Sequence, residues 1–184
     1  MKKFVLTLAG LLFATSSFAG SSLSLKSGDA SVLKEKTSTS LEIDYSAATV
    51  DGQSLEAYLQ SRGDDFVRDW PQDQITAKNY FLGQFNRKSK GLNIVNEGSM
   101  SKYKMVIHVK EMDMGNGGAS FVPFGGAKAG GVIMSGTLEI IDIESNKNVC
   151  EFEIDEVKGM GHVSETVRIG MMYFQLATDL VKYK

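Results

Sequence analysis

The residues that could carry chemistry in this sequence are few and scattered. It has two histidines and one cysteine. His108 lies on the polar side of a predicted strand with Lys104 and Lys110, whose positive charge opposes the binding of a cation. His162 lies beside Ser164 and Glu165, but adjacency in sequence does not make a catalytic triad. We therefore expect neither a catalytic set nor a metal site at the histidines.

The sulfur-containing residues also favour a structural role. A single thiol cannot form an internal disulfide, and the alternation of Cys150, Phe152 and Ile154 predicts a buried strand residue. A reactive or intermolecular thiol is the alternative. Methionines at 112, 114, 171 and 172 could offer soft ligands to Cu(I). Since Met105, Met134 and Met171 fall on predicted core faces and methionine often fills core gaps, we expect no copper and no other cofactor.

A glycine-rich segment from Gly115 to Gly131 holds the candidate binding residues. Lys128 stands between two alanines, so the Gly-Lys-Ser/Thr sequence of a phosphate-binding loop is missing. At the centre of the segment lies an apolar tip, Phe121, Val122, Pro123 and Phe124. One hypothesis is a mobile loop that docks a protein or a membrane surface through this tip. The other is that Phe121 and Phe124 fold back and cap the core.

The first nineteen residues are typical of a signal peptide. Lys2 and Lys3 precede an apolar run from Phe4 to Ala14, and Ser17-Phe18-Ala19 provides the small residues that a signal peptidase recognises. The run is shorter than the roughly 20 residues that span a bilayer, which disfavours a retained anchor. We predict cleavage after Ala19 and a periplasmic or secreted protein.

The mature chain is expected to be soluble and acidic. It lacks a cysteine after the cleavage site for a lipid anchor, having Ser21 there, and no later stretch is apolar enough to span a membrane. Loss of Lys2 and Lys3 lowers the basic residues from 20 to 18 against 22 acidic ones, a net charge of −4. Such a surface disfavours nucleic acid as a partner.

The periodicity of the apolar residues predicts one domain. Residues 20–40 are rich in serine and threonine and are predicted to be a flexible leader, so the domain is placed at 41–184. A strand follows from Leu41, Ile43 and Tyr45, and a short helix from Leu55 to Arg62. Residues 64–70 add a turn that Pro71 breaks, before a second helix over 72–88.

Period-two patterns then predict four strands, at 92–95, 103–112, 132–143 and 149–157. A final helix is predicted with Ser164 as N-cap and an apolar stripe, made of Val163, Val167, Gly170, Phe174, Ala177 and Val181. The order β-α-α-β-β-β-β-α indicates an α+β fold of two layers, a mainly antiparallel sheet with helices packed on one face. Acidic side chains at 151, 153 and 155 either form a cation-binding ladder or, as we expect, pair with lysines 102, 104 and 110 across the open face.

The second half of the chain resembles a family of short bacterial envelope proteins of unknown function, many of them lipoproteins. The residues that carry the likeness are the glycines from Gly115 through 125–131, the strand end and turn at 141–147, and the Gly-Met-Gly turn at 159–161. The likeness covers roughly Leu92 to Lys184 and implies an α+β module like those of periplasmic and outer-membrane assembly factors. It implies no catalytic residues, and because this sequence lacks the lipid-bearing cysteine, outer-membrane tethering is not carried over from the family.

The sequence therefore favours a non-enzymatic envelope module that binds a protein or an envelope surface. The alternative is a small-ligand carrier or hydrolase with its site between the sheet and the last helix, which needs converging polar groups in a cleft. The sequence leaves the oligomeric state and the identity of the partner open.

Overall fold

The computed structural model describes residues 22–96, 98–115 and 130–183. In this part of the chain the strands are β1 (Leu23–Gly28), β2 (Ser38–Asp44), β3 (Thr49–Val50), β4 (Gln53–Ser54), β5 (Asn93–Ile94), β6 (Tyr103–Asp113), β7 (Ile133–Asp142) and β8 (Lys147–Lys158). The α-helices are α1 (Leu55–Arg62), α2 (Asp64–Lys88) and α3 (Glu165–Lys182), and a 3-10 helix, η1, spans Ala30–Lys34.

The strands form one sheet in the order β1-β8-β7-β6-β2-β5. From β1 to β6 the neighbours are antiparallel, whereas β6–β2 and β2–β5 are parallel. Two parallel neighbours need a long crossover between them, which α1 and α2 supply. Side chains such as Met105, Leu138 and Phe152 on the central strands are fully buried in the common core with α2 and α3. The α+β prediction with a mostly antiparallel sheet is confirmed.

The prediction of a flexible leader at 20–40 is wrong for the described residues. β1 pairs along β8 with Leu23 opposite Ile154, and η1 buries Val32 and Leu33. An edge strand is buried on one face only, so one deeply buried side chain, Leu23, together with the ladder to β8 is enough to hold β1 on the sheet. Its partner lies some 130 residues later in the chain, which local composition cannot reveal. The domain therefore begins before residue 41.

The predicted break at Pro71 is also wrong, because α2 runs through it. Proline removes one helical hydrogen bond, the one to the carbonyl four residues earlier, at Val67. Both Pro71 and Val67 are exposed, so water can hydrate that carbonyl. The cost of the missing bond is thereby reduced, and packing of the following turns holds the helix together.

Helix α3 begins as predicted, with the Ser164 hydroxyl accepting from the Val167 amide. Its buried side differs from the predicted stripe. The side chains buried in the core are mainly Ile169, Met172, Tyr173, Leu176 and Leu180. α3 is covered on two sides, by the sheet and by α2, where an added Cβ at position 170 would meet the Tyr80 ring at 2.6 Å. Two contact surfaces widen the apolar region beyond a single stripe.

Candidate functional site at the free edge of the sheet

Strand β2 is only partly covered on the side away from β6. The short strand β5 pairs with Ser38 and Thr39, and the Val95 amide donates to the Thr39 carbonyl at 2.9 Å. Beyond this point β2 continues to Asp44, and in the part of the chain that the structure describes it has a neighbour on the β6 side only. Residues 40–44 therefore form a free edge of the sheet.

The backbone groups at this free edge can be assigned from alternation along the strand. The carbonyls of residues 37 and 39 accept from the β5 side, whereas the Ser38 carbonyl accepts from Lys102 on the β6 side. Backbone groups alternate in direction along a strand. Leu41 and Ile43 lie two and four residues after Thr39, so their N–H and C=O groups point to the same side as those of Thr39, away from β6. Within the described ranges, no hydrogen bond reaches these outward groups. They are a template for one more strand.

A groove of about 800 Å³ runs along the free edge. One wall is the first half of α2, with Pro71, Gln74 and Ile75. The other is formed by residues 98–101 and Ile143. Large apolar side chains stand exposed on both walls: Ile75 is 53% exposed, Ile143 48% and Met100 98%. An exposed apolar patch beside an unpaired strand edge is typical of a surface that binds another chain.

Local turn chemistry places Met100 on this wall. Gly98 has a φ of +82°, a conformation that favours glycine, and the Ser99 amide donates to the Asn96 carbonyl at 3.2 Å. β5 ends before this turn, and among the described residues no further strand pairs with β2 on this side. Two lysines, Lys78 and Lys104, also line the groove, and the ammonium of Lys104 is paired with Glu42 at 2.7 Å.

The strand behind the groove is held firmly. Leu41 and Tyr45 are buried, and the Tyr173 hydroxyl donates to the Tyr45 hydroxyl at 2.8 Å. Tyr45 also meets the Trp70 ring edge to face, with centroids 5.3 Å apart. Burial raises the pKa of Tyr45 far above its usual value, so the phenol stays protonated. A rigid edge loses little conformational entropy when a partner binds.

The sequence-predicted binding residues Phe121, Val122, Pro123 and Phe124 lie outside the described residues. Their role stays a prediction. The sequence did indicate β2 as a strand through Leu41, Ile43 and Tyr45, but it gave no sign that this strand lies at an edge. Gly98, two residues before Met100, marks a turn in the sequence, but a turn alone does not show which strand edge stays unpaired.

His108 lies in surroundings unlike those expected from Lys104 and Lys110. Its Nδ1 is 3.0 Å from Asp44 Oδ2, and its Nε2 is 3.6 Å from Glu139 Oε2. Hydrogen bonds from Ser46, and then from His108, hold the pKa of Asp44 below its usual value. The neighbouring strands β2 and β7 supply these carboxylates, which explains why the sequence around His108 did not predict them.

Neither histidine completes a catalytic or metal-binding arrangement within the described ranges. His162 Nδ1 accepts a hydrogen bond of 3.0 Å from the amide of Ser164, the N-cap residue of α3. No group of three or more His, Cys, Asp or Glu side chains in the described part of the chain is placed to hold a metal ion.

The expected pairing of β8 acids with β6 lysines is wrong. β7 lies between the two strands. Glu151 instead pairs with Lys26 of β1 at 2.7 Å, while Lys102 pairs with Glu35 at 2.8 Å. Sequence spacing could not show which strands are neighbours.

The sulfur-containing side chains are mostly core residues. Cys150 is fully buried, as predicted, and burial raises the pKa of its thiol to about 12. Met105 and Met134 are also fully buried, as expected, whereas Met171 is only partly buried. The methionines considered as copper ligands at 112, 114 and 172 are buried in the apolar core as well.

The space between the sheet and α3 is filled. Phe152, Met172 and Leu176 have no exposed surface and belong to the same apolar cluster. This packing disfavours a ligand cleft at that interface, where the carrier or hydrolase hypothesis would put its site. No helix in the described ranges is long and apolar enough to cross a membrane.

Comparisons with known proteins assign no family to the chain. No protein-family model matches the chain, and no curated protein matches it. It is similar to a point variant of PelC, a dodecamer from Paraburkholderia phytofirmans, with 11% identity, 86% of this chain and 97% of that chain covered, and a TM-score of 0.43. For a second PelC dodecamer from the same organism the identity is 11%, the coverage 88% and 98%, and the TM-score 0.38. Similarity at this level carries no argument about function.

Proposed function

We propose that this chain is an exported, non-enzymatic module of the bacterial envelope that holds a protein partner at the free edge of β2. The observation that carries the proposal is the outward pair of N–H and C=O groups at Leu41 and Ile43, set in an apolar groove. Export rests on the signal-peptide pattern of residues 1–19, and the periplasm is the destination we favour.

An extended segment of the partner adds one strand to the sheet. Its backbone pairs with the outward groups of Leu41 and Ile43 and supplies most of the binding energy. Because side chains alternate along a strand, one set contacts Ile75 on the helix side and the other contacts Met100 and Ile143. The preferred segment therefore carries apolar residues on both faces.

Binding is favoured over catalysis by the character of the groove. Its exposed side chains are mainly apolar, and Lys104 is already neutralised by Glu42. An active site needs converging polar groups with a nucleophile or a general base among them. The carrier or hydrolase alternative is less well supported, since its expected site is filled by core side chains.

The test places a photo-crosslinking amino acid at position 100 in cells that express the chain natively. The wild-type edge should give a crosslinked protein. Ile43→Pro removes an N–H that no β6 group uses and puts a ring carbon in the path of the added strand, so the crosslink should be lost. Ile43→Val keeps the N–H and serves as the matched control, with a thermal melt to verify that both variants fold.

The predicted loop tip gives a separate arm of this experiment. Phe121→Ser with Phe124→Ser changes no residue of the β2 edge or its groove, so under the edge proposal the crosslink at position 100 should persist. Loss of the crosslink in this double variant, with no loss in Ile43→Pro, would move the binding site to the loop and refute the edge proposal.

A further inference from the structure

A second cleft, of about 570 Å³, lies where three helical segments end together. α2 and α3 run parallel. Thr166, near the start of α3, donates to Asp73 in the first half of α2, whereas Gln84, near the end of α2, donates to Thr178, near the end of α3. Their last residues therefore lie at the same end of the molecule, next to the end of η1. This cleft shares no lining residue with the groove at the β2 edge.

The rim of this cleft is basic. Four exposed lysines line it, one from the end of each helical segment and one from the turn after α2: Lys34, Lys88, Lys182 and Lys90. No carboxylate is among the lining residues, and within the described ranges none of the four forms an ion pair as short as 4.0 Å. Lys34 is partly offset by the nearby carboxylate of Asp29, whose pKa is lowered by hydrogen bonds from Ser31 and, to a smaller extent, by Lys34. By contrast, Lys26, Lys102 and Lys104 are each paired with a glutamate.

The interior of the cleft is apolar. Leu33, Phe85 and Leu180 are buried beneath the rim, and Val181 and Tyr183 are partly buried beside them. The combination of a cationic rim and an apolar interior suits a ligand that is anionic on one side and hydrocarbon on the other.

Helix dipoles explain the positions of two of the four lysines. Lys88 and Lys182 stand at the negative ends of α2 and α3, where a cation is favourable. Lys90 lies beyond the helix and Lys34 belongs to a separate short segment, so the dipoles of α2 and α3 do not explain them. Four like charges around one cleft repel each other unless an anion offsets them.

We propose that this lysine-rimmed cleft docks the chain onto an anionic phospholipid bilayer, with one lipid head group seated among the four lysines. A bilayer fits better than a soluble anion for two reasons. The ends of η1, α2 and α3 form the rim at one end of the molecule, where a flat surface can approach it, and the apolar interior can take the glycerol and first methylenes of a lipid. The mature chain has a predicted net charge of −4, so attraction to an anionic surface requires a local cluster of this kind.

The experiment uses protein purified from cells that export and process it. Its binding to vesicles of phosphatidylglycerol mixed with phosphatidylcholine is compared with binding to phosphatidylcholine alone, by cosedimentation at low and physiological salt. Lys88→Gln with Lys90→Gln should weaken binding to the anionic vesicles by about 25-fold, roughly fivefold for each charge. Lys110→Gln with Lys158→Gln removes the same charge from exposed strand positions and is the matched control, expected to bind like wild type.

Supportive results are binding that needs phosphatidylglycerol, weakens with salt and depends on positions 88 and 90 but not on 110 and 158. Equal loss in both double variants would assign the effect to net charge and overturn the proposal. Equal binding to both vesicle types would also overturn it. So would binding of inorganic phosphate, measured by titration calorimetry, that is as tight as binding to the phosphatidylglycerol vesicles, since the bilayer and the apolar interior of the cleft would then add nothing. Thermal melts of each variant exclude unfolding as the cause.

Discussion

The two edges of the sheet are treated differently by the rest of the chain. At the β1 edge the Leu25 amide points outward and donates to the Tyr183 hydroxyl at 3.0 Å, and Ser22 donates to Asp179 at 2.8 Å. The register of β1 also shifts between Leu25 and Ser27. At the β2 edge, the outward groups of Leu41 and Ile43 have no such cover among the described residues.

Closed edges protect a sheet from unwanted pairing, whereas an open edge invites it. Here the C-terminal end of α3 closes β1, while β5 covers only the first residues of β2. The contrast shows that edge protection is available in this fold and is applied on one side. This asymmetry is the reason for placing partner binding at β2.

The largest expected effect concerns the core beneath the closed edge. Phe152 lies opposite Leu25 in the β1–β8 ladder, is fully buried and meets the Tyr183 ring with centroids 4.8 Å apart. Phe152→Ala should lower the free energy of unfolding by ~3–5 kcal/mol in denaturant titration. Glu153→Ala, on the other face of the same strand, should change it by no more than about 0.5 kcal/mol. The reverse order would mean that the two faces of β8 are exchanged.

A proline scan tests the open edge directly. Glu42 has its N–H on the β6 side, and Ile43 has its N–H on the groove side. Glu42→Pro removes a ladder hydrogen bond and should lower the free energy of unfolding by about 1–3 kcal/mol more than Ile43→Pro. Ile43→Ala separates the loss of side-chain packing from the backbone effect. Equal costs for the two prolines would show that the Ile43 amide is paired after all.

A smaller effect is expected from opening the closed edge. Tyr183→Phe keeps the ring against Phe152 but removes the hydroxyl that accepts from the Leu25 amide. The free energy of unfolding should fall by about 0.5–1.5 kcal/mol. In amide exchange followed by NMR, the Leu25 amide should become as labile as those of Leu41 and Ile43 already are in wild type. Unchanged protection of Leu25 would mean that the hydroxyl does not close this edge.

The smallest effect on stability is expected at the groove wall. Met100→Glu alters a side chain that is 98% exposed, so the free energy of unfolding should stay within about 0.5 kcal/mol of wild type. Capture of the protein partner by a crosslinker placed at the neighbouring position 99 should nevertheless fall sharply, because a charge replaces an apolar contact. If stability drops instead, Met100 is part of the core and not of a binding surface.

Features that depend on residues close in sequence were predicted correctly, and features that depend on distant residues were not. The strand of His108, the hairpin between β7 and β8 and the Ser164 cap depend on neighbours close in sequence, and the structure agrees with each. The place of β1 and the carboxylates around His108 depend on strands far away in the chain, and they were missed. The continuation of α2 through Pro71 depended on whether its lost bond faced water, which periodicity does not encode.

The sequence by itself determined the alternation of apolar residues, and with it the fold class, the strand of Leu41 and Ile43 and the burial of Cys150 and Phe152. Only the tertiary structure decided which strand lies at an open edge and which lysines gather around one cleft. The physical reason is that periodicity records which face of an element is buried. Sheet order and the meeting of helix ends arise from packing between distant segments, and these set the two surfaces on which the proposed binding rests.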